Sequence, residues 1–387
     1  MQIGFIDFSK EERNKILATL KLLGTQTALD ELGIGVIRDA YADILFPGIS
    51  TIQTRAKYFV LIPYLFERGA KQKLASGKEL QKWIHMQEDR LVETLVRNSP
   101  SETTGIIGKN ALAQKRTVKM KPSSIYWNGL RTYEIIRNSR VSLSAACSAV
   151  WFLEQKKKEM EKKTDGETYD DSTAGQGNTT LFSPLKPEGA FEQSASISLT
   201  SKEAEFLANR ITKALLSKNS LLSFLIKNKL KANSFNDIPV NILPDDLKRD
   251  YLLAKDFSDF IIGAHIRYNI IFSNYNDQEM KNEYTAWHEE FMKHPFDVDA
   301  ILKRISCKNG SADFCKAFQE CVIRDDTKAM DDLIITREKS VKTDRSKLCK
   351  PQEYQYNYDR PVHYYRLDYR FNTARTIISD IIDGLEA

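Results

Sequence analysis

Apolar residues along this chain recur mostly at spacings of three and four. In KELQKWIHMQEDRLVETLV they fall at Leu80, Trp83, Ile84, Leu91 and Leu95. That period lays one stripe along a helix and does not suit a strand, where alternate residues share a face. Start signals precede several such runs. Ser9-Lys10-Glu11-Glu12, Ser76-Gly77-Lys78-Glu79 and Thr200-Ser201-Lys202-Glu203 each read as a capping box. In that motif the hydroxyl and the carboxylate three residues on satisfy each other's backbone N–H.

The pattern predicts helices near 10–23, 36–45, 52–67, 78–97, 124–137, 142–163, 201–216, 220–230, 245–273, 277–293, 297–306, 311–323, 326–345 and 373–385. Strand signals are scarce, with short candidates at 2–8 and in the tyrosine-rich stretch 354–371. The expected fold is therefore mainly α. One stretch breaks the helical period: residues 164–196, rich in Ser, Thr, Gly, Asp and Pro. Such a segment buries too little apolar surface to offset its ordering entropy. It predicts a flexible linker between an N-terminal helical domain, 1–163, and a C-terminal one, 197–387.

Composition narrows the class. The chain has 387 residues, 42% of them hydrophobic and 28% charged, enough to build a sizeable core. No run approaches the roughly 20 apolar residues of a spanning helix. The start, MQIGFIDFSKEERNK, lacks a basic block followed by an apolar one, so a cytoplasmic protein with no membrane contact is expected. The cysteines Cys147, Cys307, Cys315, Cys321 and Cys349 are odd in number and include no CxxC pair, which argues against a disulfide framework or a structural zinc site.

The net charge is only +5, but it is unevenly spread. Between Lys109 and Arg140 there are eight Lys or Arg residues and one acid, Glu134. The linker carries six acids against Lys186 and could screen that basic run. Within segment 105–140, Lys109, Lys115, Arg116, Lys119, Lys121, Arg131, Arg137 and Arg140 interleave with Tyr126, Trp127 and Tyr133. Cations neutralise phosphates and aromatic faces stack bases, so the segment is the candidate DNA or RNA surface. Ser123 or Ser124 would cap a helix whose N-terminus also favours anions. The competing reading is a basic loop followed by a helix packed on the core.

Asp39 and Asp43 lie four apart and share a helix face, a repulsion a neighbouring cation would relieve. Either they form a metal or acid–base pair, or they join Arg38 and Arg55 in an ion-pair network. Gly33 and Gly35 lack the lysine of a phosphate loop and the third glycine of a dinucleotide fingerprint. No nucleophile–base motif stands out and no cofactor or metal is called for. His265, on the apolar run IIGAHIRYNIIF beside Arg267, is the one histidine in unusual surroundings. The tail 352–381 mixes tyrosines with Arg360, Arg366, Arg370 and Arg375, a composition that fits core or interface packing as well as binding.

The blocks DELGIG (30–35), RDAYAD (38–43), LFPG (45–48), STIQTRAKYF (50–59), IIGK (106–109), PSSIYWNGL (122–130), GAHIRYN (263–269) and YRFNTARTIISDIIDGL (369–385) together resemble a bacterial domain family of unknown function. The chain departs from the family pattern at His265 and Arg267, where aliphatic residues are commoner. The resemblance implies no catalytic residues. It implies gene neighbourhoods of the phage-defence type that include helicase-type partners. The function expected is thus a non-catalytic nucleic-acid- or partner-binding subunit. The alternatives are a metal-dependent enzyme acting on nucleic acid through Asp39 and Asp43, and a structural scaffold. The oligomeric state is not legible.

Overall fold

The computed structural model describes residues 30–114, 116, 118, 120–137, 140–164, 181–182, 185, 194–307 and 310–387. Among them are fourteen α-helices, and the only β pairing is one antiparallel bridge, Ile136 to Phe182. The fold is all-α, as the hydrophobic period predicts. The expected strand at 2–8 and the helix at 10–23 lie outside the described residues, and 354–371 forms turns instead of a hairpin. We number the helices α1 Gly35–Leu45, α2 Tyr58–Ala70, α3 Gly77–Arg97, α4 Lys109–Ala113, α5 Pro122–Thr132, α6 Leu143–Thr164, α7 Ser201–Lys213, α8 Leu221–Lys227, α9 Asp245–Phe272, α10 Gln278–Lys293, α11 Val298–Arg304, α12 Gly310–Ile323, α13 Thr327–Lys342 and α14 Phe371–Glu386.

Caps define many of the starts. Ser76 Oγ accepts from the Glu79 N–H, and Thr200 with Glu203 makes the full reciprocal box. Asp277, Asp297 and Asp326 cap α10, α11 and α13 in the same manner. Each such cap is worth about 1 kcal/mol.

Packing divides the chain into two compact units that are not consecutive in sequence: 1–41 with 249–367, and 42–248 with 368–387. The halves suggested by composition, 1–163 and 197–387, cut across both. Hydrophobic period shows which residues are buried, but not which distant partner buries them. The expected linker 164–196 lies largely outside the described residues. Within it Phe182 is buried and rests on Phe66, their ring centroids 4.6 Å apart.

In the unit 42–248 with 368–387, α3 packs along α6, and α7 along α14. An aromatic cluster sits between α2 and α5, with Phe59 edge-on to Tyr126 at 4.9 Å and to Tyr133 at 5.1 Å. Gly129 lets these helices meet, since a Cβ there would stand 2.6 Å from the Phe59 ring and 2.7 Å from the Gly48 carbonyl.

In the unit 1–41 with 249–367, α9 is the central element. Tyr251, Ala254, Phe257, Phe260, Ile261, Ala264 and Tyr268 are all buried, so apolar groups face almost every direction around it. Phe260 meets Phe318 of α12 at 5.7 Å, and Trp287 of α10 donates its indole N–H to the Asp259 carbonyl at 2.7 Å. Polar groups on α9 are also buried and have named partners: Asp250 pairs with Arg304, and Tyr268 donates to Glu338. Among the described residues no helix is long and apolar enough to cross a membrane.

Candidate nucleic-acid interface

The basic segment is anchored by its own aromatic rings. Tyr126, Leu130 and Tyr133 recur at spacings of four and three and point into the core. Tyr126 is fully buried and its hydroxyl accepts the Thr54 and Arg55 N–H groups at 2.8 and 3.0 Å. Trp127 packs on Phe66 and Phe182 and donates to the Val141 carbonyl at 3.0 Å. Tyr133 is buried and donates to the Pro47 carbonyl. These rings cannot stack on bases, which corrects the expectation for Tyr126 and Trp127. A helix that must bury one face spends its rings there first.

The N-terminus of α5 is likewise occupied. Neither Ser123 nor Ser124 caps it. The helix opens at Pro122, and Glu88 of α3 accepts the Ser123 N–H at 2.5 Å and its hydroxyl at 3.2 Å. The anion at this helix end is therefore the protein's own carboxylate. Lys121 is neutralised by both oxygens of Asp89, at 2.5 and 2.6 Å. Half-buried Lys109 donates to the Ser101 and Thr103 carbonyls. Arg131 is half-buried and reaches Asn128, while Arg116, Arg137 and Arg140 are exposed. Lys115 and Lys119 lie outside the described residues. Among the described residues of the segment, the exposed cations are thus arginines, and no ring is exposed beside them.

Glu88 lies beside a narrow cavity lined by Tyr58, Leu61, Leu65, Leu91 and Val92. Burial pushes its carboxyl up to about 7, only partly offset by the Ser123 hydrogen bonds and by Lys121. The folded pKa lies above the unfolded one, so the native state holds the extra proton between pH 4.5 and 7 and stability falls as pH rises through that window. Glu88→Gln keeps an acceptor for the Ser123 N–H and removes the titration. Relative to the parent, this variant should gain up to roughly 3 kcal/mol between pH 5 and 8. Urea unfolding at a series of pH values measures it, and parallel curves for the two proteins would refute the assignment.

The acidic and basic residues grouped as one network enter three separate pairs. Arg38 bonds its neighbour Asp39 at 3.2 Å, Asp43 accepts from Arg370 at 2.6 Å, and Arg55 grips both oxygens of Asp380 at 2.9 Å. The partners of Asp43 and Arg55 come from the far end of the chain, too distant in sequence to infer. Asp39 and Asp43 are therefore cation-paired. Among the described residues no group of three His, Cys, Asp or Glu side chains is placed to hold a metal.

The tail is mainly structural: Tyr369 is buried against Phe235, Arg366 pairs with Asp259, and Tyr356 donates to Asp277 at 2.7 Å. Sequence reasoning missed Glu88, Asp89 and Asp380, each of which fixes a cation or an amide, and it gave Glu203 its capping role but not its pairing with Lys57. No spacing rule marks an acid whose partner lies tens or hundreds of residues away.

Fold and surface together define an all-α protein with an arginine-bearing segment braced on an aromatic core. The chain belongs to a family of unknown function (DUF6361), whose sequence model matches residues 1–285. No curated protein and no solved structure matches the chain.

Proposed function

We propose that the protein is a nucleic-acid-binding subunit of a bacterial multi-protein system of the defence type, working beside a helicase-type partner. Its binding surface performs no chemistry. The observation that carries this reading is the division of labour in residues 105–140. The rings are spent on the core, and Arg116, Arg137 and Arg140 are exposed beside the basic run. Nucleic acid would then be held through its phosphates alone. Binding would be indifferent to base sequence and steeply dependent on salt.

The test is duplex binding followed from low to moderate salt. The variant Arg116→Ala/Arg137→Ala/Arg140→Ala should flatten the log–log slope by roughly 0.9 for each phosphate it no longer neutralises, and should weaken all sequences equally. An unchanged slope, or a strong preference among sequences, would remove the basis of the proposal. A metal-dependent activity through Asp39 and Asp43 is not advanced, because each carboxylate is already held by an arginine.

A further inference from the structure

Three side chains, two from one loop and the third more than three hundred residues away, stand in series within the unit 1–41 with 249–367. Tyr365 is 56% exposed, and its hydroxyl lies 3.0 Å from Nδ1 of His363. The other ring nitrogen of His363, Nε2, pairs with the carboxylate of buried Glu31. Burial would raise the Glu31 carboxyl. Hydrogen bonds and charge from His363 and Lys347 outweigh it and hold the group well below the usual carboxylate range. Lys347 bonds the same carboxylate at 3.0 Å and Lys342 lies 3.5 Å from it. In the tautomer that carries its proton on Nε2, toward this carboxylate, Nδ1 is the acceptor and faces the phenol O–H.

The loop that carries this arrangement is held in place before any ligand arrives. Fully buried Asn269 clamps Val362 from both sides, accepting its N–H at 2.7 Å and donating to its carbonyl at 2.8 Å. The Leu367 N–H is fixed by Ser258 at 2.8 Å. Between these anchors His363 takes φ +50°, a left-handed conformation that few side chains adopt, and this turn folds Tyr365 back onto its ring. Behind His363, with ring centroids 5.5 Å apart, sits buried His265, both of whose ring nitrogens lack a hydrogen-bond partner. Burial and the neighbouring His363 lower its pKa, so it forms a neutral, water-excluding wall. Arg38, bonded to Asp39 at 3.2 Å, also interacts electrostatically with Tyr365.

Carboxylate, imidazole and hydroxyl in series is the arrangement that turns a weak nucleophile into a strong one. We propose that Tyr365 is a nucleophile activated by His363 and Glu31, and that the group it attacks is the phosphorus of a phosphate ester. In the step, the Tyr365 oxygen forms a bond to phosphorus while the bond from phosphorus to the leaving oxygen breaks. The phenol proton passes to His363 Nδ1 and from there to the leaving oxygen. The charge of Arg38 favours the negative charge of the ester. This proposal does not depend on the nucleic-acid reading above.

The probe is an alkyl fluorophosphonate applied to the full chain, where fluoride leaves in place of the alcohol oxygen. Tyr358 is 57% exposed and serves as a control of matched accessibility. The adduct, located by mass spectrometry of peptides, should form on Tyr365 about 100-fold faster than on Tyr358, the scale of general-base assistance. His363→Ala and Glu31→Gln should lower the Tyr365 rate to that of Tyr358. The comparison of the two tyrosines in the parent needs no variant. Equal rates there overturn the relay. An adduct with 4-nitrophenyl acetate at Tyr365 but none with the fluorophosphonate overturns the phosphoryl assignment.

Discussion

Replacing Glu338 with alanine should cost about 4–6 kcal/mol, a large share of the stability of an ordinary domain. Glu338 is completely buried near the end of α13, yet its carboxylate is fully satisfied. Oε1 accepts the Tyr268 hydroxyl at 2.7 Å and the Lys347 N–H at 3.0 Å, while Oε2 accepts the Ser346 hydroxyl at 2.6 Å and the Leu348 N–H at 3.0 Å. Alanine suits the helix, so propensity does not explain the loss. The buried hydroxyls of Tyr268 and Ser346 and two part-buried N–H groups lose their acceptor, and each unsatisfied buried donor costs about 1–3 kcal/mol. Glutamine is the more telling variant. It offers one oxygen and one NH2 to four donors, and the two backbone N–H groups cannot rotate away. Glu338→Gln should therefore still cost about 2–3 kcal/mol. Equilibrium urea unfolding gives both values. Hydrogen exchange should show the opening concentrated at 346–348, the turn that delivers Lys347 to Glu31. A Glu338→Gln protein as stable as the parent would show that the carboxylate's second oxygen is dispensable, contrary to the geometry.

The helices were legible because their stripes and caps are local. Residues 201–213 and 278–293 have both, and the expected spans agree with the observed ones to within about three residues. The largest error in a boundary is informative. The run 52–67 reads as one helix, but α2 begins only at Tyr58. In the stretch before it the Thr54 and Arg55 N–H groups bond the Tyr126 hydroxyl, and the Ala56 N–H bonds Asp380. Partners 71 to 324 residues away displace the local preference, and nothing in the local pattern announces them.

The candidate sites follow the same logic. The charge of residues 105–140 was legible, but the burial of Tyr126 and Trp127 was obscured because a ring facing the core and a ring facing a base look alike in sequence. The Tyr126–Leu130–Tyr133 spacing was the available signal. His265 drew notice for its apolar surroundings. Its neighbours Glu31 and His363 did not, because three single residues separated by roughly a hundred to more than two hundred positions make no motif.

The last large effect concerns Lys57, and it assigns the STIQTRAKYF block a physical task. Its ammonium is buried against both oxygens of Glu203, at 2.8 and 2.6 Å, and donates to the Ser198 carbonyl at 3.1 Å. Glu203 is at the same time the reciprocal partner of Thr200 in the capping box of α7. Two residues earlier Arg55 grips Asp380 of α14, and the intervening Ala56 N–H bonds the same carboxylate at 2.8 Å. Three consecutive residues thus tie one loop to two helices that pack on each other. The block is a structural clasp, and its charges are consumed internally. Lys57→Met should cost about 3–5 kcal/mol, because Glu203 keeps its charge in a buried place without its counterion. Adding Glu203→Gln should restore part of that loss, since glutamine still serves the capping box and carries no charge to bury. An exposed pair would behave differently: the single variant would lose about 1 kcal/mol or less and the second change would restore nothing. Urea unfolding of the two variants separates these outcomes. A single-variant cost in the exposed range would mean that this loop is held by something other than its charges.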